Sequence, residues 1–242
     1  DKGVTAAMTR PEAWKRDLES HAECVYSQGG EDGVLRRLFE HVGVAHRYFV
    51  EFGAWDGMHW SNTANLRLHH GWDGLLMEGS DRADGRLVQR ERVDAENVET
   101  LFERYGVPRE FDLLSIDIDG NDYWVWKAIQ RYVPRVVIVE YNVFFRRETA
   151  KTIAYDASHG WDKERYGRYH GASLAALHKL GREKGYSLAY TEPACPNAIF
   201  VRDELLPDGL ELPTLEDWTR WDWPVEGYVE PTPQPGGRWV EV

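Results

Sequence analysis

The sequence has few cysteines, no long apolar run and a deficit of positive charge. Among its 242 residues only Cys24 and Cys195 carry thiols. Two thiols do not make the disulfide framework of a small secreted domain, so a reduced, cytoplasmic setting is expected. No stretch approaches the ~18 consecutive apolar residues of a membrane helix. The opening Asp1-Lys2-Gly3 leads into no apolar signal core, and no membrane partner is expected. Basic side chains number 29 against 41 acidic ones, a formal net charge of −12. Phosphate attraction dominates affinity for nucleic acid, so nucleic acid is not an expected partner either. Internal repeats and low-complexity segments are also missing.

What is present is an ordinary globular composition, 42% hydrophobic and 29% charged. Residues 1–25 read as a helical lead-in, with Trp14, Leu18, Ala22 and Val25 at helical spacing. Five short apolar runs follow: 48–52, 74–78, a weak third at 86–88, 111–117 and 135–141. Helical stretches separate them at 62–70, 95–105 and 122–132. Strand runs alternating with helices imply βαβ units and a parallel sheet, and near-continuous apolar strands fit a sheet covered on both faces. Segment 142–171 has no clear period and reads as a lid-like functional loop. A helix then starts at Ser173, a candidate N-cap, with Gly185 as its stop. Runs 186–190 and 197–201 close the sheet. The expected organisation is one domain over 1–205, with a lead-in at 1–45. A Pro/Trp-rich arm over 206–242 packs irregularly or joins an interface, the latter making a homo-oligomer.

Three motifs carry candidate chemistry. In Val50-Glu51-Phe52-Gly53-Ala54-Trp55-Asp56-Gly57 an acidic residue ends a strand and two glycines flank a short loop. Glycine allows positive φ and close approach of a ligand, and ligands of open α/β sheets sit beyond the carboxyl ends of the strands. The spacing is not the G-x-G-x-x-G of dinucleotide enzymes. Glu78 ends the second run before Gly79, where a carboxylate can accept both hydroxyls of a ribose. Asp117, Asp119, Asn121 and Asp122 crowd the mouth of the fourth strand. Crowded carboxylates repel one another. Their presence points to a cation, a positively charged ligand or helix capping by Asp122. Asp117, Asp119 and Glu140, with Asn142 nearby, are the candidate ligands for a hard ion such as Mg²⁺.

Taken together, Tyr26-Ser27-Gln28-Gly29-Gly30-Glu31-Asp32-Gly33, the Glu51 loop and Ser115-Ile116-Asp117-Ile118-Asp119-Gly120-Asn121-Asp122-Tyr123-Trp124 resemble the FkbM-like branch of class I methyltransferases. The likeness runs on through Val139-Glu140-Tyr141-Asn142 and Gly171-Ala172-Ser173-Leu174, covering about residues 26–202. It implies a Rossmann-like α/β fold, with a mostly parallel seven-stranded sheet flanked by helices and S-adenosylmethionine across the strand ends. Carried over, Glu51, Gly53 and Gly57 lie under the methionine portion, Glu78 holds the ribose and Asp117 sits near the methionine amine or the acceptor. Gln28 and Asp32 close the site. Ala54, Asp56, Asn62 and Gly79 complete the cofactor-contacting set. The charged third run leaves the adenine contact unplaced.

The expected reaction is O-methylation of a small-molecule acceptor such as a sugar or natural product. A hydroxyl acceptor needs a general base or a metal. His170 is the first candidate base, with Asp119 and His59 next. Trp55, Trp60, Trp124 and Trp126 are candidates for lining an acceptor pocket. Two rivals remain at this level: a non-catalytic S-adenosylmethionine-binding interaction module, and a nicotinamide-dependent oxidoreductase, which the Gly53-to-Gly57 spacing disfavours.

Overall fold

The β-branched, apolar core of the fifth run shows why a sheet forms. Val136, Val137, Ile138 and Val139 are all completely buried, which only a strand covered on both faces allows. The computed structural model describes residues 10–160, 167–193, 195–218, 231–232 and 237–242. Helix α1 (Pro11–Ser20) begins with proline at its first turn and buries Trp14 and Leu18. Helix α2 (Glu31–Val42) packs beside it. The pair is tied by Asp17, which accepts from Arg37 at 2.8 and 2.9 Å and contacts His41 Nε2 at 2.7 Å. The lead-in helix is thus shorter than its spacing predicts: it stops at Ser20, and Ala22 and Val25 are exposed. Residues 1–9 of that segment lie outside the described residues.

The remaining order is β1 (Tyr48–Phe52), α3 (Ala64–His69), β2 (Asp73–Glu78), β3 (Val88–Arg90), α4 (Val98–Arg104), β4 (Glu110–Ile116), α5 (Asp122–Ala128), β5 (Val133–Glu140), β6 (Lys151–Ile153), α6 (Leu174–Glu183), β7 (Tyr186–Thr191), β8 (Asn197–Arg202), a 3-10 turn at Asp203–Leu205, α7 (Leu215–Trp218) and β9 (Trp239–Glu241). Seven strands form one sheet in the order β3-β2-β1-β4-β5-β8-β7. All neighbours run parallel except β8, which is antiparallel to both β5 and β7. The sheet is therefore the mostly parallel, seven-stranded Rossmann-like one that the sequence implies. Its strand order reverses between β1 and β4, and a ligand crevice opens beyond the carboxyl ends at such a switch point.

Three parts differ from expectation. The third strand starts at Val88, because Asp84 Oδ1 accepts from the amides of Arg86, Leu87 and Val88 at 2.9–3.0 Å and holds Arg86 and Leu87 in a turn. Segment 142–171 is not wholly irregular, since it contains β6. The C-terminal arm is not wholly irregular either: β9 pairs antiparallel with β6 in a second, two-stranded sheet on the same chain. Much of the Trp-rich stretch, 219–230, lies outside the described residues, as do 161–166 of the lid-like segment. Helix α6 starts as expected. Ser173 Oγ accepts from Ala176 N at 3.2 Å, and Gly185 beyond its end takes φ +80. Both cysteines are free, Cys24 exposed and Cys195 buried. Among the described residues no helix is long and apolar enough to cross a membrane.

Candidate functional site

At the switch point the chain leaves β1 through Gly53, whose φ is +69. A Cβ there would lie 1.6 Å from the carbonyl oxygen of Asp117, so only glycine lets the ends of β1 and β4 meet. Trp55 follows in a left-handed conformation, φ +51, which is unusual for a bulky residue. Its amide donates to Glu78 Oε2 at 3.2 Å, and Ser80 N donates to Glu78 Oε1 at 2.7 Å. Two loop amides therefore aim the Glu78 carboxylate from the end of β2.

Beyond β4 the chain turns sharply. Asp119 is left-handed, φ +56, and Asp122 accepts from Ile118 N at 2.9 Å and Gly120 N at 2.8 Å. Asp122 thus ties this turn rather than capping α5, and its burial pushes its carboxyl up to about 6 against those two bonds. The strand ends at Ile116, so Asp117 and Asp119 meet through the turn. Carboxylate oxygens of Asp117, Asp119 and Glu140 all lie within 4.8 Å of one another. Burial, followed by repulsion from Asp119 and Asp122, holds Asp117 well above the usual carboxylate range. Glu140 is raised by burial and then by Asp117, and Asp119 by desolvation and then by Glu78. Each shift opposes ionisation, and a neighbouring positive charge would relieve it.

Glu78, Asp117, Asp119 and Glu140 share a cavity of about 800 Å³ that runs across the ends of β1, β2, β3, β4 and β5. Of the residues expected in the site, Gln28, Gly53, Glu78, Gly79, Asp117, Asp119 and Glu140 line it, joined by His59, Trp55 and Trp60. Several others do not. Glu51 is buried and turned towards the loop before α3, accepting from Ser61 Oγ at 2.8 Å, Asn62 N at 2.9 Å and Thr63 Oγ1 at 2.5 Å. It orders that loop instead of facing a ligand. Asp32 accepts from the amides of Val25, Tyr26 and Ser27 at 2.7–2.8 Å and from the Ser27 hydroxyl, fixing the Gly-rich turn. Asn62 donates to Ser115 Oγ at 3.1 Å beneath the sheet end. Ala54 is buried, and Gly57 faces Leu76, Leu87 and Val88. Asp56 closes its own turn. Desolvation opposes its ionisation, yet the amides of His59 and Met58 and the His59 ring bring it down to about 2.

His170 is likewise outside the cavity lining. Burial, followed by the neighbouring His159, lowers its imidazole to about 4. Trp126 is core, against Phe200 and Tyr186, and Trp124 donates to the Ile153 carbonyl at 2.8 Å. The residues that sequence reasoning missed are His159, Arg82 and Arg92, all lining the cavity. His159 rests on Gly120, where a Cβ would fall 2.4 Å from its Cδ2. The one signal for it was a glycine inside the acidic motif, in register with nothing local.

The strand order, the single reversed strand and the crevice at the β1/β4 switch define a Rossmann-like, doubly wound α/β fold. Comparison with known proteins adds little to that. No family model and no curated protein matches the chain. Among solved structures, the carbon methyltransferase CurJ is 12% identical, with a TM-score of 0.40 over 83% of this chain and 57% of its own. A S-adenosylmethionine-dependent methyltransferase from Clostridium acetobutylicum is 9% identical, with a TM-score of 0.35 over 69% of this chain and 87% of its own. The O-methyltransferase NcsB1 from neocarzinostatin biosynthesis, in complex with S-adenosylmethionine and 2-hydroxy-5-methyl naphthoic acid, is 17% identical. Its TM-score is 0.31, over 70% of this chain and 55% of its own. The chain thus spans little more than half the length of CurJ.

Proposed function

We propose that this chain is an S-adenosylmethionine-dependent methyltransferase that acts on a hydroxyl group of a small molecule of sugar or natural-product type. The observation that carries the reading is Glu78. A carboxylate aimed by two loop amides ends β2 beside the switch point, where it can accept from vicinal ribose hydroxyls. Gly53 keeps the neighbouring loop low enough for a ligand to lie across it. Asp117, Asp119 and Glu140 offer a negative wall to a cationic donor. When bound, the cofactor supplies an electrophilic methyl group, displaced in line by the acceptor oxygen. The protein's part is alignment, and orientation alone lowers such barriers by about 7–11 kcal/mol. Trp55 and Trp60, with ring centroids 5.4 Å apart, line the cavity, and a flat ring or a sugar face stacks on aromatics of this kind. His159, at the cavity wall beside Gly120, replaces His170 as the residue to take the hydroxyl proton.

The acidic wall also suits Mg²⁺, a hard cation that takes oxygen donors. Asp117, Asp119 and Glu140 would hold it, and its chemistry there is polarisation of the acceptor oxygen. Turnover lost in chelator and restored by Mg²⁺ supports the metal, and full turnover in chelator removes it.

The primary test is calorimetric titration with S-adenosylhomocysteine. The wild type binds, and Glu78→Ala weakens binding more than tenfold while the circular dichroism spectrum is unchanged. Equal affinity in the variant sinks the ribose role. A wild type that binds but transfers no methyl group to any acceptor, followed as a mass gain of one methyl, favours a non-catalytic binding module.

A further inference from the structure

Buried carboxylates elsewhere in this chain are satisfied by protein donors. Glu31 accepts from Cys195 Sγ at 2.5 Å, Asn197 Nδ2 at 2.7 Å and Gly29 N at 2.8 Å. Asp112 accepts from the amides of Ala45 and His46, each at 2.7 Å. Asp32, Glu51 and Asp122 likewise hold backbone amides or hydroxyls. The acidic wall of the cavity is the exception. Among the described residues, no hydrogen bond and no ion pair reaches the carboxylate of Asp117, Asp119 or Glu140, although their oxygens lie within 4.8 Å of one another.

A fourth oxygen beside them is also unpaired. Asn121 is 4% exposed and lines the same cavity, and its Oδ1 has no hydrogen-bond partner. A buried amide oxygen in that state is costly unless a ligand completes it. The other end of the side chain is engaged, Nδ2 donating to the carbonyl of Asp156 at 2.8 Å. Carboxylates and an amide oxygen are the donors that hard divalent cations take. Oxygens on opposite sides of such an ion, each about 2.0–2.6 Å from it, stand about 4–5 Å apart, and the spacing of the three acids falls within that reach.

We infer that Asn121 completes a hard divalent-cation site with Asp117, Asp119 and Glu140, and that the bound ion clamps segment 154–160 to the β4 turn through the hydrogen bond from Asn121 to Asp156. A ligand that meets the ion at one end and holds backbone at the other is the usual outer-shell arrangement of metal sites. An ion on Oδ1 fixes the amide's rotation and polarises its N–H bonds towards the Asp156 carbonyl. That carbonyl also accepts from His159 N at 2.9 Å, while Ser158 N donates to Asp156 Oδ1 at 2.8 Å. The turn so formed delivers His159 to the cavity wall against Gly120. Ion occupancy thereby sets the position of the proposed base. This consequence for catalysis rests on the methyltransferase reading, whereas the ion site does not.

The test uses Mn²⁺ alone as the probe, an ion that takes the same oxygen ligands, followed by water-proton relaxation at constant ionic strength. The wild type should bind it and release it to excess Mg²⁺. Asp119→Asn, which suits the left-handed backbone at that position, and Asn121→Ala should each weaken binding at least tenfold. Asn121→Asp keeps an oxygen for the ion and loses the N–H donor, so it should retain Mn²⁺ but release the segment. Hydrogen exchange reads that link. Mg²⁺ should slow the Ser158 and His159 amides at least fivefold in the wild type and leave them unchanged in Asn121→Asp. No Mn²⁺ binding by the wild type, or equal binding in Asp119→Asn, overturns the site. Wild-type affinity in Asn121→Ala with an unchanged circular dichroism spectrum overturns the ligand role of Asn121. Equal slowing in Asn121→Asp overturns the clamp. Mn²⁺ expelled by saturating S-adenosylhomocysteine overturns the assignment in favour of the cofactor's amine. Absence of S-adenosylhomocysteine binding strikes the methyltransferase reading alone, because the ion measurements are made without it.

Discussion

At the scale of single residues, the site depends on two glycines more than on any one acid. Gly53 lets the β1 loop touch the Asp117 carbonyl, and Gly120 makes room for the His159 ring. Gly53→Ala brings both a positive-φ penalty and a clash with backbone that cannot swing away, so a loss of about 3 kcal/mol or more is expected. Denaturant melts measure it, and a loss below 1 kcal/mol would show that the two loops separate easily. Gly120→Ala meets a side chain, which can move, so the fold should survive while the ring is pushed from the cavity wall. The two histidines separate by position. His170, brought to about 4 by burial and by His159, is neutral throughout the physiological range, as a base must be, but it sits off the cavity. His159→Asn should lower kcat at least a hundredfold, on the scale of a lost general base, and leave S-adenosylhomocysteine affinity intact. His170→Asn should retain most turnover. Turnover preserved in His159→Asn would move the proton transfer elsewhere.

At the scale of elements, the sequence was most legible where burial is two-sided. β1, β2, β4 and β5 announce themselves as apolar runs because helices cover both faces of the sheet. The ends of elements were less legible, since a single side chain decides them: Asp84 captures the start of β3, and α1 stops at Ser20 although apolar spacing continues to Val25. Among candidate site residues, acids at strand ends look alike in sequence. Glu78 meets two amides at the cavity, whereas Glu51 meets Ser61, Asn62 and Thr63 behind it, and only the loop path distinguishes them. Least legible was the β6–β9 ribbon, whose three-residue strands show no period and lie far apart in the chain. It bears on the site through Trp239, whose ring lies 4.6 Å from Phe145 and 4.8 Å from Tyr169, the neighbour of His159. Trp239→Ala should therefore cost about 2 kcal/mol, below the range for a fully buried tryptophan because this one is half-buried. Turnover should fall further than stability, with cofactor affinity unchanged. Equal loss of both would make the ribbon a purely structural clasp.

At the scale of the whole molecule, an excess of acid is concentrated at one cavity, and this sets how stability follows pH. Asp117, Asp122 and Glu140 have their carboxyls raised in the fold, above all by burial. Between the unfolded and folded values the native state binds more protons than the unfolded chain, so stability falls as pH rises. Asp122 alone, moved from an ordinary 3.8 to about 6, accounts for roughly 3 kcal/mol that is present below pH 4 and lost above pH 6. Asp17 and Asp56 act in the opposite direction. Each is lowered against its own desolvation, Asp17 by Arg37 and His41 and Asp56, to about 2, by His59 and Met58. Their contribution is lost as pH falls through those lowered values. The thermal midpoint of the unliganded protein should therefore peak near pH 4, decline towards pH 8 and collapse in stronger acid. Glu140→Gln removes one charge from the crowded wall at an oxygen, Oε2, that is buried without a hydrogen-bond partner. It should raise the midpoint at pH 8 and change it little at pH 5, flattening the decline. Saturation with S-adenosylmethionine should flatten it similarly, because a cationic ligand stabilises the ionised wall while its neutral-sulfur product leaves more of the slope in place. A midpoint that climbs steadily from pH 5 to pH 8 in the unliganded wild type would mean the carboxylates are ionised at no cost, and the wall would then have no call for a positive ligand.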